Sequence, residues 1–200
     1  MKLDSLFSRY LKMSLSFPIE IARLSETDLD LIEKQAIDLG EKVYAFDKRD
    51  RTLNQCIKAS YAGKLVEHCI YHRLESAELN VAQNEENFTN DYCWDLVVFE
   101  GSNFEKIEVK LLTESEDRKV ISWNDKAKIA NAMKHWEKFD YMVVCVMLDQ
   151  VVYPWYLLDN QVWNPINDLF MDSKSAAQGV FIKTCAESRG FMKKLCNLPR

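Results

Sequence analysis

Apolar positions change their spacing several times along this chain, and each change marks an element. Residues 1–24 mix apolar and basic positions and predict a helix that ends near Pro18. Ser25-Glu26-Thr27-Asp28 then supplies a cap and an acidic first turn for a helix to about Gly40, with Leu29, Ile32, Ala36 and Leu39 as its apolar stripe. After a charged connector, Asp50 or Thr52 caps a third helix over 52–76. In it Leu53, Cys56, Ser60, Gly63, Glu67, Tyr71 and Leu74 recur at steps of three and four. Small Cys56, Ser60 and Gly63 on that stripe suggest that the helix approaches a sheet closely.

The period then shortens. A short strand is expected at 78–82, followed by two β-branched and aromatic runs, 93–99 and 104–112, on either side of Glu100-Gly101-Ser102-Asn103. Gly at the first central position suits a type II′ turn, so the pair reads as a tight hairpin. A charged loop at 113–119 precedes a helix that starts at Asn124 or Asp125 and reaches about Phe139. The continuous run 141–148 (YMVVCVML) predicts a strand buried on both faces, with a second strand at 150–158. Residues 160–200 read as two helical pieces, one starting at Asn164-Pro165. The order αβββαββ implies an α/β (α+β) fold, a mixed β-sheet flanked by helices. One globular domain is expected: an N-terminal helical extension (1–50), a core (51–158) and a C-terminal helical extension (159–200).

Composition narrows the setting. Two hundred residues at 48% hydrophobic content can bury a full core. The six cysteines form no C-x-x-C pair and four lie in apolar stretches, which favours reduced thiols in an intracellular protein. Asp4, Arg9 and Lys12 break any signal-peptide core, and the run 141–148 is too short to span a bilayer. The expectation is a soluble, cytoplasmic protein with no membrane partner. Formal charge is −5, so net charge predicts no polyanion partner. Local charge differs, because between 118 and 138 Arg118, Lys119, Lys126, Lys128, Lys134 and Lys138 face only Asp125 and Glu137. This stretch is the candidate phosphate-contacting surface, weighed against a basic helix face that serves solubility.

Candidate chemistry centres on the hairpin. With Gly101 and Ser102 as the loop, Glu100 pairs with Asn103 and Asp95 falls opposite Glu108. Alternation puts Asp95, Glu108 and Lys110 on one face, and Trp94, Leu96 and Val98 with Ile107, Val109 and Leu111 on the other. Like charges directly opposed repel, so a divalent cation between them is expected, with Lys110 as a second positive group. Glu67 lies on the apolar helical stripe, where a buried carboxylate costs several kcal/mol unless compensated, the alternative being a glutamate at the stripe's edge that reaches solvent. His68 and His72 stand at i and i+4, a spacing that can clamp zinc, but no matching Cys or His pair follows, and they read as surface or hydrogen-bonded core histidines.

Asp95, then Glu108-Val109-Lys110 on the next strand, preceded by Glu67 in a G-x-x-x-E helix, resembles the PD-(D/E)XK (restriction-endonuclease-like) nuclease superfamily, over about residues 52–158. Trp94 replaces the proline before the aspartate, a proline that is often absent in that superfamily. The resemblance implies a restriction-endonuclease-like core in αβββαβ order. It also implies that Asp95, Glu108 and Glu67, with the Val109 backbone carbonyl, ligate Mg²⁺ or Mn²⁺ while Lys110 assists the attacking water. Neighbouring carboxylates oppose a neutral lysine, which favours orientation and charge stabilisation over general-base action. Asn124, Lys126 and Lys128 are placed to touch the scissile strand. The implied function is a metal-dependent endonuclease, a hydrolase acting on DNA more readily than RNA. The alternative is a nuclease fold that binds nucleic acid or protein without cutting. Monomer and homodimer both remain open, the first nicking and the second able to cut both strands.

Overall fold

The structure, a computed structural model, describes residues 4–46, 51–84, 94–112, 114–115, 120–121, 136–148, 150–159 and 162–165. Helix α1 (Asp4–Ser14) buries Phe7 and Leu11 and leads through buried Leu15 into β1 (Ile19–Glu20). A 3-10 turn (Ile21–Arg23) precedes α2 (Glu26–Phe46). Ser25 and Asp28 close the start of α2 reciprocally: the Asp28 amide donates to Ser25 Oγ at 3.1 Å and the Ser25 amide to Asp28 Oδ2 at 2.9 Å. Helix α3 (Leu53–Ser76) opens on a full capping box, with the Gln55 amide donating to Thr52 Oγ1 and the Thr52 amide to Gln55 Oε1.

Strands β2 (Asn80–Gln83), β3 (Leu96–Glu100), β4 (Asn103–Leu112), β7 (Tyr141–Leu148), β8 (Val151–Asp159) and β9 (Val162–Pro165) join β1 in one sheet, in the order β1-β8-β7-β4-β3-β2 with β9 on β8. The two-residue strands β5 (Glu114–Ser115) and β6 (Val120–Ile121) pair separately. The fold is mixed α/β, as the apolar pattern predicts. Its one parallel pairing among the described residues is β4 with β7, Ile107 opposite Tyr141 through Leu112 opposite Val146. Of the segment that crosses between these strands, the described residues are β5, β6 and, from 136, a 3-10 turn at Trp136–Lys138 leading into β7; the rest, including most of the helix expected at 124–139, lies outside them.

The core forms where α1 and α3 meet the sheet. Leu65, Val66, Cys69, Ile70 and Leu74 of α3 cluster with Leu96, Val98, Ile107, Val109, Leu111, Val143 and Leu157. Cys56, Cys69 and Cys145 are buried and unbridged. Strand β7 is buried without interruption from Tyr141 to Val146, which accounts for its unbroken apolar run.

Three local expectations change. Residues 1–50 contribute more than helices, because Ile19 pairs with Val152 and Ile21 donates its amide to Gln150 O at 3.1 Å. Residues 162–165 extend the sheet and do not begin a helix; 166–200 lie outside the described residues. The stripe of α3 is broader than seven positions, since the helix is covered by the sheet and by α2 together, and Leu53 at its exposed start is 38% accessible.

Of the three small residues expected to bring α3 close to a sheet, Gly63 is no contact point, and the tight approach at a glycine is made by α2. A Cβ on Gly40 would lie 2.6 Å from Ile57 Cα, so α2 runs through Gly40 to cross α3 at contact distance. A Cβ on Gly63 would meet nothing within 4 Å. Gly40→Ala is therefore expected to destabilise the chain by about 1–3 kcal/mol through backbone displacement. Gly63→Ala is expected to stabilise it by about 0.4–1 kcal/mol, because alanine costs less helix entropy. Urea unfolding of both variants checks the opposite signs.

Candidate functional site

The site begins at the turn. Gly101 takes φ +62°, Glu100 pairs with Asn103, and the register runs back to Leu96 opposite Ile107. The regular ladder ends there, so the opposition of Asp95 to Glu108 read from the sequence is not among the paired positions. Asp95 sits in a bend just before β3, where its amide donates to Ile107 O at 3.0 Å and its own carbonyl accepts from the Asn84 amide at 3.0 Å. Its carboxylate takes over the next ladder position: the Val109 amide donates to Asp95 Oδ2 at 2.7 Å. The bend turns Trp94 out of the apolar row expected for it, and Lys106 Nζ lies 4.2 Å from its ring centroid.

Glu108 is 1% exposed, so it is no solvated sheet residue. Lys110 Nζ pairs with Glu108 Oε1 and also lies 3.3 Å from the Val109 carbonyl oxygen. Among the described residues, the second oxygen, Glu108 Oε2, is buried with no hydrogen-bond partner. Glu67 extends from α3 and accepts from Lys64 Nζ at 2.5 Å. Lys64, only 5% exposed, is the residue that sequence reasoning missed. Its signal was present as a lysine three residues before a buried glutamate, a spacing that makes side chains neighbours on a helix.

Electrostatics bind these groups into one site. Burial, and then the charge of Asp95, push the Glu67 carboxyl up to about 7, against the opposing pull of Lys64 and Lys110. Burial, then Asp95, with Glu67 adding to both, raise Glu108 to about 8 against Lys110. Glu67, Asp95, Glu108 and Lys110 therefore share one electrostatic neighbourhood, drawn from α3, the start of β3 and the middle of β4. Arg118, Lys119, Asn124, Lys126, Lys128 and Lys134 lie outside the described residues.

Three carboxylates around one buried unpartnered oxygen suit a hard, oxygen-seeking cation, and Asp95, Glu108 and Glu67 are the residues that would hold it. Each acid has its own donor: Glu67 has Lys64, Glu108 has Lys110, and Asp95 has the Val109 amide. The three acids do not form a close ligand grouping among the described residues. Both histidines are hydrogen-bonded, as expected: His68 in the core to Gln35, and His72 at a half-exposed position to Glu75. Beside them lies Asp28 of α2, forty residues distant in the chain and invisible to spacing, so that among the described residues Asp28, His68 and His72 form the close ligand grouping, one ligand atom from each lying within 4.8 Å of the others. Burial lowers His68 to about 4, so its ring is neutral near pH 7. No helix among the described residues is long and apolar enough to cross a membrane. No protein-family model matches the sequence, and comparison with curated proteins and with solved structures finds no significant match either.

Proposed function

We propose that the chain is a divalent-metal-dependent nuclease of the PD-(D/E)XK superfamily, hydrolysing phosphodiester bonds, in DNA before RNA. The observation that carries this reading is the buried, unpartnered Glu108 Oε2 in the electrostatic neighbourhood of Asp95 and Glu67 with Lys110 alongside. The order of α3, the β3–β4 hairpin, and β4 parallel to β7 supports a restriction-endonuclease-like core.

A bound Mg²⁺ or Mn²⁺ would supply positive charge for the phosphoryl oxygens and lower the pKa of attacking water. Asp95, Glu108 and Glu67 would hold that charge, and the Val109 carbonyl oxygen, 3.3 Å from Lys110 Nζ, is the backbone oxygen that would join them. Lys110, anchored to Glu108, is poised to donate to a phosphoryl oxygen or to the incoming water, and so orients the attack and offsets charge that develops on phosphorus. Water adds to phosphorus as the P–O bond to the leaving sugar oxygen breaks, and that oxygen takes up a proton.

One observation favours a second reading. Lys64 already compensates Glu67 without a metal, as expected of a nuclease fold kept as a binding module after catalysis is lost. Incubation with supercoiled plasmid, short duplexes, single strands and RNA, in Mg²⁺, Mn²⁺ or EDTA, separates the two. Cleavage that needs the metal and is lost in Lys110→Ala is the expected result. Binding without cleavage under either metal would leave the module as the function.

A further inference from the structure

Helices α2 and α3 meet on the side of α3 that carries His68, one residue from Glu67 but turned toward a different neighbour. His68 is 3% exposed, and Gln35 of α2 lies against it, with His68 Nε2 3.1 Å from Gln35 Oε1. An amide oxygen can only accept, so this contact places the ring proton on Nε2 and leaves the Nδ1 lone pair available. One turn further along, His72 Nδ1 lies 3.3 Å from Glu75 Oε2, an acceptor for a proton on Nδ1. Asp28, at the start of α2, directs Oδ2 to the Ser25 amide and hydroxyl at 2.9 and 2.6 Å, while Oδ1 lies 3.2 Å from His72 Nε2.

The pattern is complementary. Among the described residues, the side-chain nitrogens that are buried without a hydrogen-bond partner are His68 Nδ1 and His72 Nε2, each the ring nitrogen opposite its outer contact. The 3.2 Å approach of Asp28 Oδ1 to His72 Nε2 is close enough for an ion pair yet lacks hydrogen-bond alignment. Three ligand atoms thus converge, and each ligand's other polar atom is held by a separate outer partner: Gln35, Glu75 or Ser25. Such partners fix the tautomer and orientation of metal-binding histidines.

We propose that Asp28, His68 and His72 form a zinc-class site that clamps the first turn of α2 onto the middle of α3. Two imidazoles and one carboxylate suit Zn²⁺ better than Mg²⁺, which prefers oxygen ligands and keeps its water. The ligand atoms lie within 4.8 Å of one another, and a tetrahedral ion with bonds of about 2.0–2.1 Å draws such atoms to about 3.3 Å, a side-chain adjustment of about 1 Å. The fourth tetrahedral position falls to water, because the His72 and Asp28 side chains are 37% and 22% exposed and leave the site open on one side. The ion would hold the helix that presents Glu67 without itself taking part in hydrolysis. This site is separate from the acid site and stands whether or not the chain cuts nucleic acid.

The test uses full-length protein stripped with EDTA, titrated with Zn²⁺ by calorimetry and with Co²⁺ by visible absorption. The Asp95→Asn chain, in which the acid site is disabled, is expected to bind one Zn²⁺ and to give the intense bands of tetrahedral, nitrogen-ligated Co²⁺. His72→Ala should abolish both signals. Asp28→Asn, which retains an oxygen to cap α2, should do the same without unfolding the helix. Gln35→Leu removes only an outer partner, so affinity should fall about 10- to 100-fold. Saturating Zn²⁺ should raise the melting temperature of the wild-type chain by about 5–10 °C and that of His72→Ala not at all. Failure of the Asp95→Asn chain to bind zinc would overturn the proposal, and so would unchanged binding by both His72→Ala and Asp28→Asn.

Discussion

Replacing Asp95 with Asn is expected to slow Mg²⁺-dependent phosphodiester cleavage by about a thousandfold while the fold remains intact. Asparagine retains an oxygen that accepts from the Val109 amide, now 2.7 Å from Asp95 Oδ2, so the bend before β3 keeps its anchor. What disappears is the charge that raises both Glu67 and Glu108 and that would help to hold a cation between them. A metal supplies several kcal/mol of transition-state stabilisation, and each 1.4 kcal/mol is about tenfold in rate, which sets the expected loss near three orders of magnitude. Single-turnover cleavage of plasmid measures it, with circular dichroism as the control for folding. A loss of less than about tenfold would remove Asp95 from the chemistry.

Glu108→Gln should abolish cleavage and yet make the metal-free chain more stable at pH 8. Glu108 is 1% exposed, and burial raises its carboxyl from 4.5 to about 8. An acid whose folded pKa is raised holds a proton that the unfolded chain has already lost, so stability falls as pH rises between the two values. Glu67, raised from 4.5 to about 7, acts in the same direction. His68 opposes both at lower pH: lowered from 6.5 to about 4, it favours the folded chain more as pH rises through that interval. Between about 6.5 and 8 the two acids act alone, and the melting temperature in EDTA should decline. Glutamine leaves no charge to bury there, so the variant should exceed wild type by about 1–3 kcal/mol at pH 8 and show a shallower decline. Added Mg²⁺ should restore the wild type and leave the variant unchanged. An acid that destabilises the empty protein and is needed for the reaction exemplifies the exchange of stability for activity at functional sites.

Much of this was legible because it rests on local physics. Gly101 with a positive φ, the capping box at Thr52, and the bounds of Tyr141–Leu148 follow from turn, cap and burial patterns within a few residues of chain. The hairpin register from Glu100 opposite Asn103 back to Leu96 opposite Ile107 required only a turn and a count. What the pattern could not give depends on partners distant in sequence. A stripe on α3 says that the helix is buried but not against what: Cys56, Ser60 and Gly63 suggest approach to a sheet, whereas the glycine at contact distance is Gly40 of α2, against Ile57. Lys64 has the composition of a solvated side chain and becomes a buried counter-ion only beside Glu67. Asp28 serves visibly as a cap; its place beside His68 and His72 exists only after two helices pack. Two residues of β1 carry no period at all, and the bend at Asp95 interrupts the alternation that would have put Trp94 in the core.

The claim on which the rest depends is that Glu67, Asp95 and Glu108 together hold one divalent cation. Calorimetric titration of Mn²⁺ into the His72→Ala chain tests it most directly, since the histidine site is then removed and any remaining ion must bind elsewhere. The account predicts one bound Mn²⁺, lost when Glu108→Gln or Asp95→Asn is added and weakened by Glu67→Gln. No binding, or binding indifferent to all three substitutions, would contradict it.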